Sequence, residues 1–515
     1  MANTNIFLGS GASVTFVPEV DIYLKPASLN SDKDELTLHS DFTTRFDLVT
    51  DLYVGCVLEF YDNGTLTTTH RITGNTATTI TFHPAQTITL DTTNDYYHLK
   101  GYGAPCPANS GSSNLKHLNA DYWMGIVESL TFPSVEVEFK QQNLFVGGSR
   151  NFTYQYKGIE TAGNASVNIV ANHGAWLYYF FGKCSAITAT LDAATNPASD
   201  FQGGGGNKYF LNGTSVTDTG PLFYRSIDNS MVPPVLRGQD TFGDLDHLTE
   251  PSGTTTISNP ITYTFAEQDG DDLPSFAMEQ VFSKLPSTNT YSTNTADADE
   301  DTNFVLIATG NRVNTLTMTA NENEELKMTM DCMPRKVHNL AKTEKYAARR
   351  SVTDETSFKN YSSNDKFLEP FFFSSGSISL FGQNFLRITN FTLTMNNTLT
   401  DKRFIGIGSK TVKDAIPAQR TYELSFTALV TDDKLFNELK NQDENQLANS
   451  GALIDLIFDK SNGEQIRLKF DNYMLTTNSW PIPEDKGAVM VEATIIPRTL
   501  ASNGCTVKTH WILQG

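Results

Sequence analysis

Nowhere does the 515-residue chain approach the run of about 18 apolar residues that a membrane-spanning helix needs. Met1 to Ser10 has neither a basic start nor a long apolar stretch, so no secretory leader is read there. Cysteine is scarce: Cys56, Cys106, Cys184, Cys332 and Cys505 are far apart, with no CxxC pair and no histidine at ligand spacing. That scatter excludes a zinc motif and reads as reduced core thiols of a protein made in a cytoplasm. Basic clusters are almost missing outside Lys342 to Arg350, and the formal net charge is −20. Such a balance repels phosphate and excludes an ordinary basic nucleic-acid binder.

Catalytic motifs are missing as well. There is no Gly-x-Ser-x-Gly elbow and no His-Glu-x-x-His. Gly406-Ile407-Gly408-Ser409-Lys410-Thr411 resembles a phosphate loop only superficially. Arg403 stands where the opening glycine belongs, and Ser409 separates Gly408 from Lys410. The acidic clusters Asp269-Gly270-Asp271-Asp272 and Asp297 to Asp301 lack the twelve-residue spacing and closing glutamate of an EF-hand loop. His173, just before an aromatic segment, reads as a capping or core residue rather than a base. No catalytic residue, metal or cofactor is assigned, and an enzyme is not expected.

What the chain has is β character: 33 Phe, 19 Tyr, abundant Thr, Asn and Ser, and few Ala-Leu-Glu-Lys runs. Residues 1–115 read as a small β module. Asn63-Gly64 between apolar runs signals a hairpin, a second turn is expected at Gly74-Asn75, and Ala104 to Ser113 reads as the exit linker. Tyr96, Tyr97 and Tyr102 are either core or a sugar-stacking surface.

Beyond it one pattern occurs twice, over 116–350 and 351–515. Glu128 to Phe139 and Phe385 to Met395 read as long alternating strands. Each is followed by a loop, a second strand (Ala165–Val170; Tyr422–Val430) and a short helix (Asn172–Lys183; Asp432–Gln442). Trp176 and Phe180 form the core stripe of the first helix; Leu435, Phe436 and Leu439 form that of the second. Gly310 to Met318, Leu326 to Met330 and Met333-Pro334-Arg335 then match Phe470 to Leu475, Val489 to Ala493 and Ile496-Pro497-Arg498. The first copy is interrupted from Cys184 to about Ile261, a length that implies an inserted subdomain or an extended arm.

The run Phe372 to Gly382, the strand Ile388 to Leu399, Ile416-Pro417, the strand Tyr422 to Thr427 and the helix from Asp432 resemble the major tail tube proteins of tailed bacteriophages. Pro274 to Phe276, Val313 to Thr317 and Leu326 to Thr329 are similar to the same family's first half. The resemblance covers roughly 121–515 and implies two tandem β-sandwich units, each with a flanking helix, plus the N-terminal β module. It also implies a virion structural protein whose sheets join into stacked rings through which DNA is delivered. Two units per chain halve the subunit number, giving a trimeric, pseudo-hexameric ring. Implied partners are further copies, the tape measure, distal tail and terminator proteins, and DNA in passage without specific binding.

The polar strand faces then supply lumen candidates free of Lys and Arg: Glu136, Glu138, Thr392, Thr394, Glu423, Ser425 and Thr427. Loops Gln142–Ser149 and Thr398–Gln419 are expected to stack rings. An outward N-terminal module favours a tail without a sheath. The alternatives are a distal tail or baseplate ring of the same fold, and a receptor- or glycan-binding β protein.

Overall fold

A computed structural model describes residues 12–24, 26–39, 46–48, 50–105, 108–109, 126–142, 154–189, 261–268, 273–283, 303–339, 369–402, 414–430 and 453–509. Five short segments between 202 and 237 and residues 433, 437 and 440 are also described; a few loop positions inside these spans are not.

The N-terminal module holds β1 (Ala12–Leu24), β2 (Pro26–Leu29), β3 (Glu35–Leu38), β4 (Val57–Asp62), β5 (Thr65–Asn75), β6 (Thr79–His83) and β7 (Tyr96–Pro105). The ladder runs β1-β7-β4-β5-β6-β3-β2. Because β2 follows β1 directly, the ladder returns to its start as a small barrel around Leu36, Tyr53, Leu58, Phe60, Ile80 and Tyr97. Asp62 pairs with Thr65 across the expected Asn-Gly link. The Gly74-Asn75 turn is corrected: β5 runs through both residues, and the chain reverses at Thr76 to Thr78. There the Thr76 hydroxyl accepts the Thr78 and Thr79 amides, while the Asn75 side chain is drawn inward to accept the Tyr53 amide at 3.0 Å.

The first repeat contains β8 (Ile126–Thr131), β9 (Val135–Gln142), β10 (Tyr154–Ala162), β11 (Ala165–Val170), helix α1 (Trp176–Phe181), β12 (Gly182–Ala189), β13 (Ile261–Glu267), β14 (Phe276–Ser283), β15 (Asn303–Asn321), β16 (Lys327–Met333) and β17 (Lys336–Asn339). The second contains β18 (Gly376–Leu380), β19 (Ile388–Asn396), β20 (Thr400–Lys402), β21 (Asp414–Ile416), β22 (Thr421–Leu429), β23 (Leu453–Asp459), β24 (Gln465–Ser479) and β25 (Met490–Thr509). Two expected elements change. The strand from Glu128 to Phe139 is broken into β8 and β9 at Pro133, which has no N–H for a ladder. The first helix is shorter than 172–183, because Gly182 at φ +95° turns the chain directly into β12.

Strand pairing makes the duplication explicit. The first repeat forms the ladder β8-β11-β16-β15, and the second forms β19-β22-β25-β24. A bulge falls between Val127 and Ser129 in one and between Ile388 and Asn390 in the other. A second falls between Val313 and Thr315 in β15, and again between Leu475 and Thr477 in β24. Gly310 and Asn472, at matching positions, both take positive φ. Even the side hairpins agree: Phe139 pairs with Lys157 and Lys140 with Tyr156, as Thr400 pairs with Ile416 and Asp401 with Ala415.

β15 also pairs with β19, from Thr315 with Asn396 to Asn321 with Asn390. The two ladders therefore fuse into one antiparallel sheet of eight strands, β8-β11-β16-β15-β19-β22-β25-β24. A second layer packs on its apolar face. It comprises β1-β14 with the first half of β15 and β17, and β12-β13 with the later halves of β25, then β24, β23 and β18. The layers share one core in which Phe391 stacks on Phe458 at 5.4 Å and Tyr422 meets Phe470 at 5.0 Å.

Candidate conduit face and assembly edges

Alternation decides which side of the large sheet stays wet. Val167, Ile169, Met328, Met330, Leu316, Met318, Phe391, Leu393, Tyr422, Leu424, Phe426, Ala493 and Ile495 all point into the core. The opposite face carries Ser129, Ser166, Asn168, Thr329, Thr317, Thr319, Thr392, Thr394, Ser425, Thr427 and Thr494 at intermediate or full exposure. Neighbouring strands are linked across this face by side chains. Asn168 donates to Ser129 Oγ at 2.6 Å and accepts from Thr329 Oγ1 at 2.8 Å, and the Ser425 and Thr494 hydroxyls meet at 3.1 Å.

Where the eight strands run side by side, the charged side chains described on this face are Glu128, Lys327, Asp331, Glu423 and Glu492. The one cation among them, Lys327, lies 3.1 Å from Glu128 Oε1, whose hydrogen bond and charge raise the ammonium pKa. The face is thus hydroxyl-rich and net acidic, with no described amine or guanidinium offered singly to a polyanion.

Five of the seven lumen candidates lie together on this sheet: Thr392 and Thr394 on β19, Glu423, Ser425 and Thr427 on β22. Glu136 and Glu138 are elsewhere, on β9 of the side hairpin, both exposed, with Glu138 ion-paired to Lys140. β15 adds Thr315, Thr317 and Thr319 to the polar face, an alternation visible in the sequence but unassigned there. Trp176 and Phe180 are fully buried, with Trp176 edge-on to Phe276 at 5.8 Å. Leu435, Phe436 and Leu439 lie outside the described residues, although the Asn437 amide donates to the Asp433 carbonyl at 2.9 Å, a helical spacing. His173 is a core residue: burial, then the charge of Lys460, lower its pKa to about 4 against an opposing effect of Glu464. Of the expected stacking loops, residues 143–149 and 403–413 lie outside the described residues, as do the two acidic clusters.

The seam between the repeats is held by residues that carried no sequence signal. Buried Asn397 donates to the Phe180 and Val313 carbonyls at 3.1 and 3.0 Å and accepts from Arg420 at 2.8 Å. Asn314 accepts the Leu399 amide at 2.7 Å, and Arg312 donates to the Ala415 carbonyl at 2.7 Å. At the outer edges of the large sheet, β8 has β11 as its one strand neighbour among the described residues. Likewise β24 from Met474 to Ser479 has only β25 beside it among them.

The described residues thus form a duplicated, mainly β chain with one polar sheet face and two matching outer edges. Its family is given by comparison: a family model described as phage tail tube protein matches residues 200–494. The match spans more than half of the chain, and the chain belongs to that family; it is a structural protein of a phage tail. The matched region opens inside the first repeat, so the N-terminal module, β8 to β12 and the later part of β25 fall outside it. No curated protein matches the chain.

Proposed function

We propose that the chain is the ring-forming subunit of the tail tube, and that three copies close each ring. The observation that carries this reading is the β15–β19 seam. Within one chain it joins the last strand of one repeat to the first strand of the next. The sheet's outer edges, β8 and β24, are the counterparts of β19 and β15. A rotation that repeats the internal relation brings β24 of one chain to β8 of another, and a head-to-tail contact of this kind closes into a ring.

Three eight-stranded sheets would enclose a barrel about 40–50 Å across between backbones, from strands about 4.8 Å apart with an ordinary tilt. The polar, acidic face lines the lumen, where the scarcity of free cations lets DNA slide without salt-dependent adhesion. Since β1 leaves from the second layer, the N-terminal module sits on the outside of the wall, an arrangement suited to a tail without a sheath. Rings stack through the hairpins and loops at the sheet ends, and the tape measure, distal tail and terminator proteins are the expected neighbours.

Negative-stain electron microscopy of the purified full-length protein tests the proposal. Tubes of stacked, threefold-averaging rings are expected. Isolated rings at every concentration would favour a distal tail or baseplate ring instead, and monomers throughout would remove the ring reading altogether.

A further inference from the structure

Among the described residues, five of the eight large apolar side chains left strongly exposed lie at the two ends of the large sheet. Val135 (50% exposed) and Phe139 (65%) are on β9, just past the β8 edge. Met474 (59%) and Ile496 (45%) form a cross-strand pair at the β24 edge, and Ile482 (85%) follows β24. Isolated exposed apolar residues need no explanation, but a cross-strand pair left open at a sheet edge, as Met474 and Ile496 are, does.

The internal repeat shows what covers such a place. Met474 and Ile496 occupy the positions that Arg312 and Met333 hold in the first repeat, as the shared register and bulges establish. There the β20–β21 hairpin lies over the pair. Its Ala415 carbonyl accepts from Arg312, and Ala415 and Leu399 bury Met333 and Leu273 in a small cluster. The register-matched counterpart of β20–β21 is the β9–β10 hairpin. Its own chain offers no preceding repeat for it to cover.

We infer that the β9–β10 hairpin of one chain docks over Met474 and Ile496 of the next copy, an inference that rests on the ring proposed above. The contact inside the chain is an arginine–carbonyl hydrogen bond over a small apolar cluster. By the same register Glu138 and Tyr156 stand where Leu399 and Ala415 do, so the contact between chains sets these two positions over Ile496 and over Met474, which replaces the arginine. The same docking geometry is thus served by two different chemistries, one for a permanent joint and one for a joint that must find its partner in solution.

The test uses the full-length chain. Met474→Asp alters an exposed side chain, so its far-UV circular dichroism and melting should match wild type. Its critical concentration for ring formation should rise about tenfold or more, the effect of losing one buried apolar contact. In wild-type background, Glu138→Cys combined with Ile496→Cys, the counterparts of Leu399 and Met333, should give linked species up to a covalent trimer on non-reducing gels, absent from either single variant. Rings formed by Met474→Asp at the wild-type concentration, with no cross-link in the double-cysteine protein, would overturn the docking while leaving the ring intact. If the wild-type protein forms no rings at any concentration, the ring reading falls and the docking with it.

Discussion

His173 shows how one buried residue sets a response of the whole fold. Its pKa is lowered in the folded chain to about 4 and returns to the ordinary histidine range near 6.5 on unfolding. Between those values the unfolded chain binds a proton that the folded chain does not, so this contribution favours unfolding as pH falls from about 6.5 toward 4. The melting temperature should therefore drop across that interval, and His173→Gln should flatten the slope; an unchanged pH profile in the variant would remove His173 as its source. Glu59 acts lower on the scale. Burial alone would raise its pKa, but the His98 and Lys100 hydrogen bonds and charges together outweigh that effect and hold it at about 2. Its stabilisation is therefore lost only in stronger acid. Individual residues were unevenly legible. Alternation alone placed Phe391, Leu393, Tyr422, Leu424 and Phe426 inward, because a strand's period of two admits only two faces. Asn397 and Glu19 gave no signal. Each gains its role from partners far along the chain: Asn397 from Phe180 and Val313, and Glu19 from the Gly310 amide at 2.6 Å and the Ser275 hydroxyl.

At the scale of elements, the positive-φ residues Gly310 and Asn472 stand where β15 and β24 cross from one layer to the other. Glycine accepts that conformation without strain, and asparagine tolerates it better than other residues. Gly310→Ala should cost about 1–2 kcal/mol, read as a lower urea midpoint at unchanged slope, whereas Asn472→Gly should stay within about 0.5 kcal/mol of wild type. Equal losses at both sites would argue against a backbone cause. The paired strands of the two repeats could be read from sequence because their apolar alternation is regular. Breaks were harder: Pro133 ends β8, and the apolar alternation changes phase there, from Leu130 and Phe132 to Val135, Val137 and Phe139, a signal easily passed over inside one long alternating run. The Gly74-Asn75 turn failed for a related reason. Glycine permits a turn without requiring one, and the Thr76 hydroxyl supplied better capping one residue on.

For the whole molecule, the order of repeated elements was legible while their fusion into one sheet was not, since pairing between β15 and β19 depends on contacts that no local pattern encodes. The acidic polar face has a direct test. Glu423→Lys together with Glu492→Lys would place free cations on the proposed wall. Tubes of that variant should retain DNA in a salt-dependent manner, with a slope of about 0.9 per phosphate contact, while wild-type tubes should not. DNA retention indifferent to these changes would place that face elsewhere than the lumen. The β15–β19 seam has a mechanical consequence as well. A barrel made of such chains has its staves joined in pairs by the polypeptide itself, so only alternate seams can part. Under denaturant or internal pressure the wall would split along three lines rather than six, and no fragment smaller than a two-stave panel would leave it.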